Sequence, residues 1–203
     1  MIRIAVLASG RGSNLQAILD ACRDGRIPGR VSIVISDVED APALPRAAAA
    51  KVPTRFVKPD DAFNSNLLST LKEYHVDLVC NAGFMRILAP EVVRAYPTRW
   101  MNIHPSLLPA FKGLHAQKRA FEYGVRYAGC TVHFVDENVD TGPIILQQVI
   151  TVNENDTTDS LEQRILTEEH RLYPEAIRLF AQNRLKLEGR RVHILPPENH
   201  EKE

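Results

Sequence analysis

The order of apolar and polar positions predicts a regular alternation of strands and helices in the first half of the chain. Four apolar runs are typical of strands covered on both faces: Ile2 to Ala8, Val31 to Ser36, Thr54 to Val57 and Val76 to Asn81. Three stretches of helical spacing separate them. The first can be capped by Ser13 or Asn14 and ends at about Gly25, and the other two are Ala43 to Lys51 and Ala62 to Tyr74. Strands and helices in this order predict right-handed crossovers and a parallel sheet.

The second half of the chain has a different pattern. A short strand from Trp100 to His104 ends at Pro105, and a helix is predicted over Ala116 to Tyr123. Two further strands follow, at Cys130 to Val135 and Pro143 to Val152. Their connection is too short for a crossover, so we expect them to pair antiparallel.

A long helix, from about Asp159 to Asn183, closes the pattern, and we expect Pro174 to kink it. Its predicted buried face consists of Leu161, Ile165, Leu172, Ala176, Ile177 and Phe180. The predicted fold is α/β, a Rossmann-like three-layer sandwich with a mostly parallel central sheet and an antiparallel C-terminal strand pair. We expect one domain over residues 1–183, followed by a C-terminal tail over residues 184–203 that starts with a basic segment and has a frayed, charged end after its Pro-Pro pair.

Composition narrows the classes of function. The 203 residues are 44% hydrophobic, and 25 basic side chains balance 25 acidic ones. Net neutrality argues against a surface for nucleic acid or anionic membrane. Three dispersed cysteines, Cys22, Cys80 and Cys130, favour a reducing cytoplasm over a disulfide framework. The N-terminal apolar run is too short for a signal peptide or a membrane span.

The turn from Gly10 to Asn14, between the first strand and the first helix, is a candidate phosphate site. Backbone N–H groups of Gly12, Ser13 and Asn14 would point outward there, where the helix dipole favours an anion. A dinucleotide fingerprint is a weaker interpretation, because Leu15 stands where a third glycine is expected, although Asp37 could mimic the ribose-binding acid. A turn whose glycines serve only geometry is the remaining alternative.

Asn102, His104 and Asp140 are the candidate catalytic residues. Strand alternation places Asn102 and His104 on one face, and Asp140 lies in a polar loop. An amide and an imidazolium can stabilise an oxyanion, an imidazole can shuttle protons, and a nearby carboxylate raises the imidazole pKa. A packed histidine and a simple turn aspartate are the alternatives. The pattern contains no activated nucleophile, which favours direct transfer between two bound substrates. His104, His115 and His133 lack the usual metal-ligand spacing, so we expect no metal.

Five motifs carry a resemblance to a known family. They are Ala8-Ser-Gly-Arg-Gly-Ser-Asn-Leu-Gln-Ala17, Ala82-Gly-Phe-Met-Arg-Ile-Leu88, Asn102-Ile-His-Pro-Ser-Leu-Leu-Pro109, Thr131-Val-His-Phe-Val135 with Asp140-Thr-Gly-Pro-Ile-Ile-Leu-Gln147, and Glu168-Glu-His-Arg-Leu-Tyr-Pro174. From about Ile2 to Phe180, the chain resembles the phosphoribosylglycinamide formyltransferases, folate-dependent enzymes of purine synthesis with a formyltransferase fold.

The resemblance implies formyl transfer from the co-substrate 10-formyltetrahydrofolate to the amine of glycinamide ribonucleotide, without a metal. It implies that residues 1–100 bind the ribonucleotide phosphate, and that residues 101–183 bind folate and carry Asn102, His104 and Asp140. Ribonucleotide contacts are implied for Gly12, Ser13, Asn14 and Glu169. Folate contacts are implied for Met85, Arg86, Ile87, Leu88, Asn102, Asp136, Glu137, Asn138, Val139 and Asp140. Relatives often carry a basic residue just before the third helix, where this chain has Asp60 and Asp61 after Lys58.

Three rival functions stay open. A formyltetrahydrofolate hydrolase shares the Asn-x-His and Asp set, but we expect an added N-terminal domain in that class. Methionyl-tRNA formyltransferase would be expected to carry an added C-terminal RNA-binding domain. A non-catalytic sugar-phosphate-binding module would not need Asn102, His104 and Asp140 together. The preferred interpretation is a cytoplasmic enzyme, monomer or homodimer, that acts on small molecules and binds neither nucleic acid nor membrane.

Overall fold

A computed structural model describes residues 1–197, and its centre is a seven-stranded sheet in the order β3-β2-β1-β4-β5-β6-β7. The strands are β1 (Ile2–Leu7), β2 (Gly29–Ser36), β3 (Thr54–Phe56), β4 (Leu78–Asn81), β5 (Trp100–His104), β6 (Tyr127–Phe134) and β7 (Ile144–Thr151). Strands β1 to β5 pair in parallel, whereas β6 runs antiparallel to β5 and β7 antiparallel to β6. The predicted fold class, including the antiparallel pair, is confirmed.

Within residues 1–197, six helices cover the sheet. They are α1 (Ser13–Arg23), α2 (Ala43–Ala49), α3 (Phe63–Glu73), α4 (Pro90–Arg94), α5 (Ala116–Tyr123) and α6 (Thr158–Ala181). One apolar core packs α1, α2 and α6 against one face of the sheet, and a second packs α3 and α4 against the other. Alternate residues of β1 divide between these cores, Ile4 and Val6 in the first and Ala5 and Leu7 in the second, which explains why its sequence is apolar throughout.

Helix α6 differs from the prediction in what it buries. It continues through Pro174 to Ala181. Leu161, Ile165, Ala176 and Ile177 are buried as predicted, and Leu172 and Phe180 are half-buried against the first core. The same face also buries Glu169 and Tyr173. A carboxyl group in such a position needs a polar partner, because burial disfavours an isolated charge.

Other differences concern short local elements. Helix α4 was not predicted from the sequence. It begins with Pro90 and buries Val92 and Val93, and its turn and a half is too short to give a periodic pattern of apolar residues. The side chains of Ser13 and Asn14 do not cap α1, whose N-cap is Gly12 in the left-handed conformation (φ 73°). Among residues 1–197, no helix is long and apolar enough to cross a membrane.

Residues 185–194, assigned from the sequence to the C-terminal tail, form secondary structure that the sequence did not predict. Strands β8 (Leu185–Glu188) and β9 (Arg191–Ile194) form an antiparallel hairpin. Leu185 and Val192 pack against the first core, and Arg190 Nη2 donates to the carbonyl of Thr141 at 2.6 Å. Both strands alternate apolar and polar residues, but each has only four residues, so the alternation gives a weak signal in the sequence. The rest of the predicted tail, residues 198–203, lies outside the described residues.

Candidate active site

The antiparallel pairing of β5 with β6 assembles the polar cluster. Met101 and Ile103 pack in the first core, so the alternating Asn102 and His104 project from the opposite face, as predicted. The register pairs Asn102 with His133 and His104 with Thr131. Two histidines and an amide are therefore neighbours on one face of the sheet.

Asp140 reaches this cluster from the loop between β6 and β7. Its Oδ2 lies 3.3 Å from His104 Nδ1 and accepts a 2.8 Å hydrogen bond from the backbone N–H of Gly113. Its Oδ1 accepts a 3.4 Å hydrogen bond from Asn102 Nδ2. The backbone of Asp140 is left-handed (φ 51°), a conformation that short polar residues tolerate best. The structure thus brings together the three predicted catalytic residues.

His104 is nearly buried, and both ring nitrogens have oxygen neighbours. Nε2 is 2.9 Å from the carbonyl oxygen of Phe111, an acceptor only, so Nε2 carries a hydrogen. Burial lowers the pKa of His104 below its ordinary value, although the Phe111 carbonyl and the Asp140 carboxylate both act to raise it. The predicted effect of Asp140 has the expected sign, but burial outweighs it.

The carboxyl group of Asp140 is ionised at neutral pH. Burial acts to raise its pKa, but the neighbouring His133 ring, the hydrogen bond from the Gly113 backbone N–H and the positive charge that His104 can carry outweigh burial. Its pKa therefore lies below the ordinary value. An anion beside His104 stabilises an imidazolium at the moment when one forms.

His133 is a site residue that the sequence analysis considered only as a metal ligand. Its Nδ1 lies 2.8 Å from the carbonyl oxygen of Phe134, so Nδ1 carries the hydrogen and Nε2 accepts. Nε2 is 3.2 Å from Asn102 Nδ2. His133 and Asp140 therefore both orient the amide nitrogen of Asn102 towards themselves. Strand alternation in β6 could have identified it, because His133 lies on the face opposite to Cys130 and Val132, as Asn102 and His104 lie opposite to their apolar neighbours.

The predicted phosphate turn forms a second polar region. Gly12 is the N-cap of α1, and Ser13, the first residue of the helix, is half-buried. Asn14 is buried, and its Nδ2 donates to Glu169 Oε2 of α6 at 2.7 Å. The structure therefore brings Asn14 and Glu169, 155 positions apart, into direct contact.

Arg46 is a cation beside this turn that the sequence analysis missed. Its Nε donates to the carbonyl of Arg11 at 3.2 Å, and its Nη1 donates to Gln16 at 2.9 Å. Arg46 lies on the alanine-rich α2, and nothing in its local sequence distinguishes it from a solvated helix residue. Its charge adds to the positive potential at the start of α1.

Helix α6 links the two regions. Tyr173, one turn after Glu169, is buried with its hydroxyl 3.0 Å from the carbonyl oxygens of both Asn81 and Met101. Met101 directly precedes Asn102. The same helix therefore holds Glu169 beside the phosphate turn and contacts the strand that carries the catalytic candidates.

The segment from Met85 to Leu88, predicted to bind folate, follows β4. Met85 and Ile87 are 64% and 76% exposed, Leu88 is buried in the second core, and the guanidinium of Arg86 lies 4.6 Å from the ring centroid of Phe63. The backbone N–H of Met85 donates to Ser9 Oγ at 3.0 Å. This contact holds the segment beside the phosphate turn.

The second predicted folate segment, Asp136 to Asp140, is a tight loop. Asp136 Oδ1 accepts hydrogen bonds from the Asn138 N–H at 3.2 Å and the Thr141 hydroxyl at 2.6 Å. Glu137 pairs with Arg94 of α4 at 3.2 Å, and Val139 is 47% exposed. Exposed apolar side chains in both segments offer a surface for a flat ring.

Cavity shape does not identify this site. Concavities of about 300 and 170 Å³ lie beside Met1 to Arg3 and beside Phe121 to Arg126, away from the catalytic candidates. Within residues 1–197, no group of three or more His, Cys, Asp or Glu side chains has a metal-binding arrangement. The chemistry of the polar cluster identifies the site.

Together, the sheet and the polar cluster are typical of an α/β enzyme of the doubly wound class, with a buried cluster of histidine, aspartate and asparagine and a separate glycine-containing turn at a helix start. The chain belongs to the formyl transferase family, whose pattern matches residues 2–177. A phosphoribosylglycinamide formyltransferase of Escherichia coli is 42% identical over 98% of this chain and 98% of its own length.

Two other proteins extend the comparison. The structure of glycinamide ribonucleotide transformylase 1 from Symbiobacterium toebii superposes with a TM-score of 0.94 and is 59% identical, covering 97% of this chain and 95% of its own. The human trifunctional purine biosynthetic protein adenosine-3 is 44% identical over 91% of this chain. This chain spans 19% of that longer protein.

Proposed function

We propose that this chain transfers the formyl group of 10-formyltetrahydrofolate to the amine of glycinamide ribonucleotide, in purine biosynthesis. The products are formylglycinamide ribonucleotide and tetrahydrofolate. The names of the Escherichia coli and Symbiobacterium toebii relatives support this reaction. The observation that carries the proposal is the convergence of His104, Asp140 and Asn102 on one face of the sheet.

The reaction needs one new bond, one broken bond and one relocated proton. The substrate amine attacks the formyl carbon, and the carbonyl electrons move onto oxygen to give a tetrahedral oxyanion. His104 acts as general acid and proton shuttle, and Asp140 stabilises its imidazolium. The bond from carbon to N10 of folate then breaks, and N10 takes up the proton that the amine has lost.

Two contacts within the site must change during this reaction. His104 Nε2–H now donates to the Phe111 carbonyl, so it must exchange that partner to reach a substrate. Asn102 serves as the oxyanion donor by exchanging its long 3.4 Å contact with Asp140 for the developing oxyanion. Its shorter contact with His133 keeps the amide oriented meanwhile.

The substrates have separate places in this proposal. The ribonucleotide phosphate lies on Gly12, Ser13 and Asn14, with Glu169 near the ribose, because a helix N-terminus favours an anion. The pterin lies between the segments 85–88 and 136–140. Formyl-folate is a co-substrate, and no metal takes part. We place the enzyme in the cytoplasm, as a monomer or homodimer without nucleic-acid or membrane partners.

An assay of the purified chain with 10-formyltetrahydrofolate, with and without glycinamide ribonucleotide, tests the proposal. We expect tetrahydrofolate to form only when the ribonucleotide is present, in a one-to-one ratio with formylated product. Equal release of formate without the ribonucleotide would instead establish a hydrolase. Binding of ribose 5-phosphate without any turnover would establish a non-catalytic module.

A further inference from the structure

The contact between Asn14 and Glu169 joins two elements that hold different parts of the proposed ribonucleotide site. Asn14 is the second residue of α1 and is 8% exposed, whereas Glu169 lies in the middle of α6 and is 6% exposed. Their 2.7 Å hydrogen bond is therefore shielded from water on both sides. A hydrogen bond to a buried carboxyl group is strong and strictly directional.

Asn14 uses its side chain and its backbone differently. Its Nδ2 is committed to Glu169, and its Oδ1 is buried without a hydrogen-bond partner among the described residues. Neither amide atom is directed to solvent, so the side chain is not displayed to an anion at the helix start. The backbone N–H, by contrast, belongs to the first turn of α1, whose N–H groups have no partner within the helix.

We propose that Asn14 is a positioning residue, whose side-chain amide fixes the Glu169 carboxyl group beside the phosphate turn while only its backbone N–H serves the phosphate. This inference rests on the proposed function for its substrate. In this arrangement the Asn14 side chain adds no donor to the phosphate. It also explains why an amide suits the position: an amide can donate to an ionised carboxylate or, after rotation, accept from a protonated one.

The surroundings of Glu169 make its protonation sensitive to Asn14. Burial raises the pKa of Glu169 to about 7, and the hydrogen bond from Asn14 acts in the opposite direction. The titratable group that faces it from β6 is Cys130, whose thiol stays neutral because burial raises its pKa to about 12. Within residues 1–197, burial and Asn14 are the two causes that shift the Glu169 titration.

Two variants and one control test the inference without any substrate. The carboxyl carbons of glutamate are labelled with ¹³C, and the Glu169 signal is assigned from its loss in Glu169→Gln. In Asn14→Ala the midpoint of the Glu169 titration is expected to rise by about one pH unit, since the anion loses the one hydrogen-bond donor that residues 1–197 give it. The isosteric Asn14→Asp keeps the packing and should raise the midpoint as well, because it adds a like charge. Thr167→Ala, an exposed change on the same helix, should leave it unchanged.

Kinetics then separate positioning from direct phosphate binding. In Asn14→Ala, the KM for glycinamide ribonucleotide is expected to rise about tenfold, the scale of one hydrogen bond to a charged group. The inhibition constant of inorganic phosphate against the ribonucleotide and the KM for folate should not change. A parallel rise of the phosphate constant, or an unmoved Glu169 titration in both Asn14 variants, would overturn the inference. Failure of the wild type to formylate the ribonucleotide would refute the proposed function, whereas the titration would still report on Asn14.

Discussion

Asp140→Asn removes the negative charge of the active site and preserves its shape. Asparagine tolerates the left-handed backbone of position 140 (φ 51°) and can still accept the hydrogen bond from Gly113 through its Oδ1. The variant is therefore expected to fold. Its main defect should lie in the interaction between position 140 and the His104 ring, 3.3 Å away, and the variant also loses the acceptor of the 3.4 Å hydrogen bond from Asn102.

The geometry sets the size of that defect. Two unit charges 3.3 Å apart attract by about 5 kcal/mol at an effective dielectric constant of about 20, and this attraction exists only while His104 is an imidazolium. The amide dipole that replaces the carboxylate retains part of it, and we expect a net loss of about 3 kcal/mol in the transition state. The kcat should then fall roughly a hundredfold.

The pH dependence gives the sign of the effect. Asp140 acts to raise the pKa of His104, against the larger lowering by burial. Its removal should lower that pKa further, so the limb of the kcat/KM profile that reports loss of the His104 proton moves to lower pH. Both parameters are measured by initial rates of tetrahydrofolate formation from pH 5 to 9, beside thermal unfolding to verify the fold.

Asp77→Asn is the matched control for this variant. Asp77 also has a pKa below its ordinary value, pairs with Arg3 at 3.2 Å, and lies just before β4, at the opposite end of that strand from the site. The control should lose some stability and retain its kcat. A wild-type kcat in Asp140→Asn, or an equal fall in the control, would refute the electrostatic role of Asp140.

Three further outcomes are expected. His104→Ala should reduce kcat roughly a hundredfold or more with unfolding unchanged in cooperativity, and rates near wild type would remove it from the mechanism. Burial raises the pKa of Glu169 to about 7, so its carboxyl group favours the folded state only while it is protonated, and the wild type should lose about 3 kcal/mol of unfolding free energy between pH 4.5 and 7. Glu169→Gln cannot ionise at this position and should not show that loss, which urea titrations at several pH values measure. Asp60→Arg should cost about 1 kcal/mol through its lost bond to the Ala62 N–H and leave the folate KM flat with salt; a salt-dependent KM would place the folate tail there.

The strands and long helices were predictable from sequence because each has a local signal. The helix spacing of Leu15, Ile18 and Leu19 reports burial in the first core. The bounds of β5 and α5 agree with the prediction residue for residue. Helix α4 and the β8–β9 hairpin escaped because each is too short for burial to impose a period.

The role of Gly12 shows what a turn motif leaves undetermined. A Cβ at this position would lie 3.0 Å from Ala43 Cα, and the left-handed backbone adds strain. A substitution such as Gly12→Val would therefore disturb the packing of α1 on α2 before it affected a phosphate. The sequence indicates that glycine matters there, but only the tertiary contact reveals which of its properties is used.

The role of a side chain is hardest to predict from sequence where it depends on a partner far away along the chain. Asn14 has the same local sequence whether its amide faces a phosphate or Glu169, since the deciding partner is 155 positions away. His133 likewise becomes part of the site only through the antiparallel register that places it opposite Asn102. A buried polar group must be paired, and that requirement is what ties such partners together. Buried polar residues on an otherwise apolar face, such as Glu169 on α6, are therefore the positions at which a sequence pattern signals a long-range contact without naming its partner.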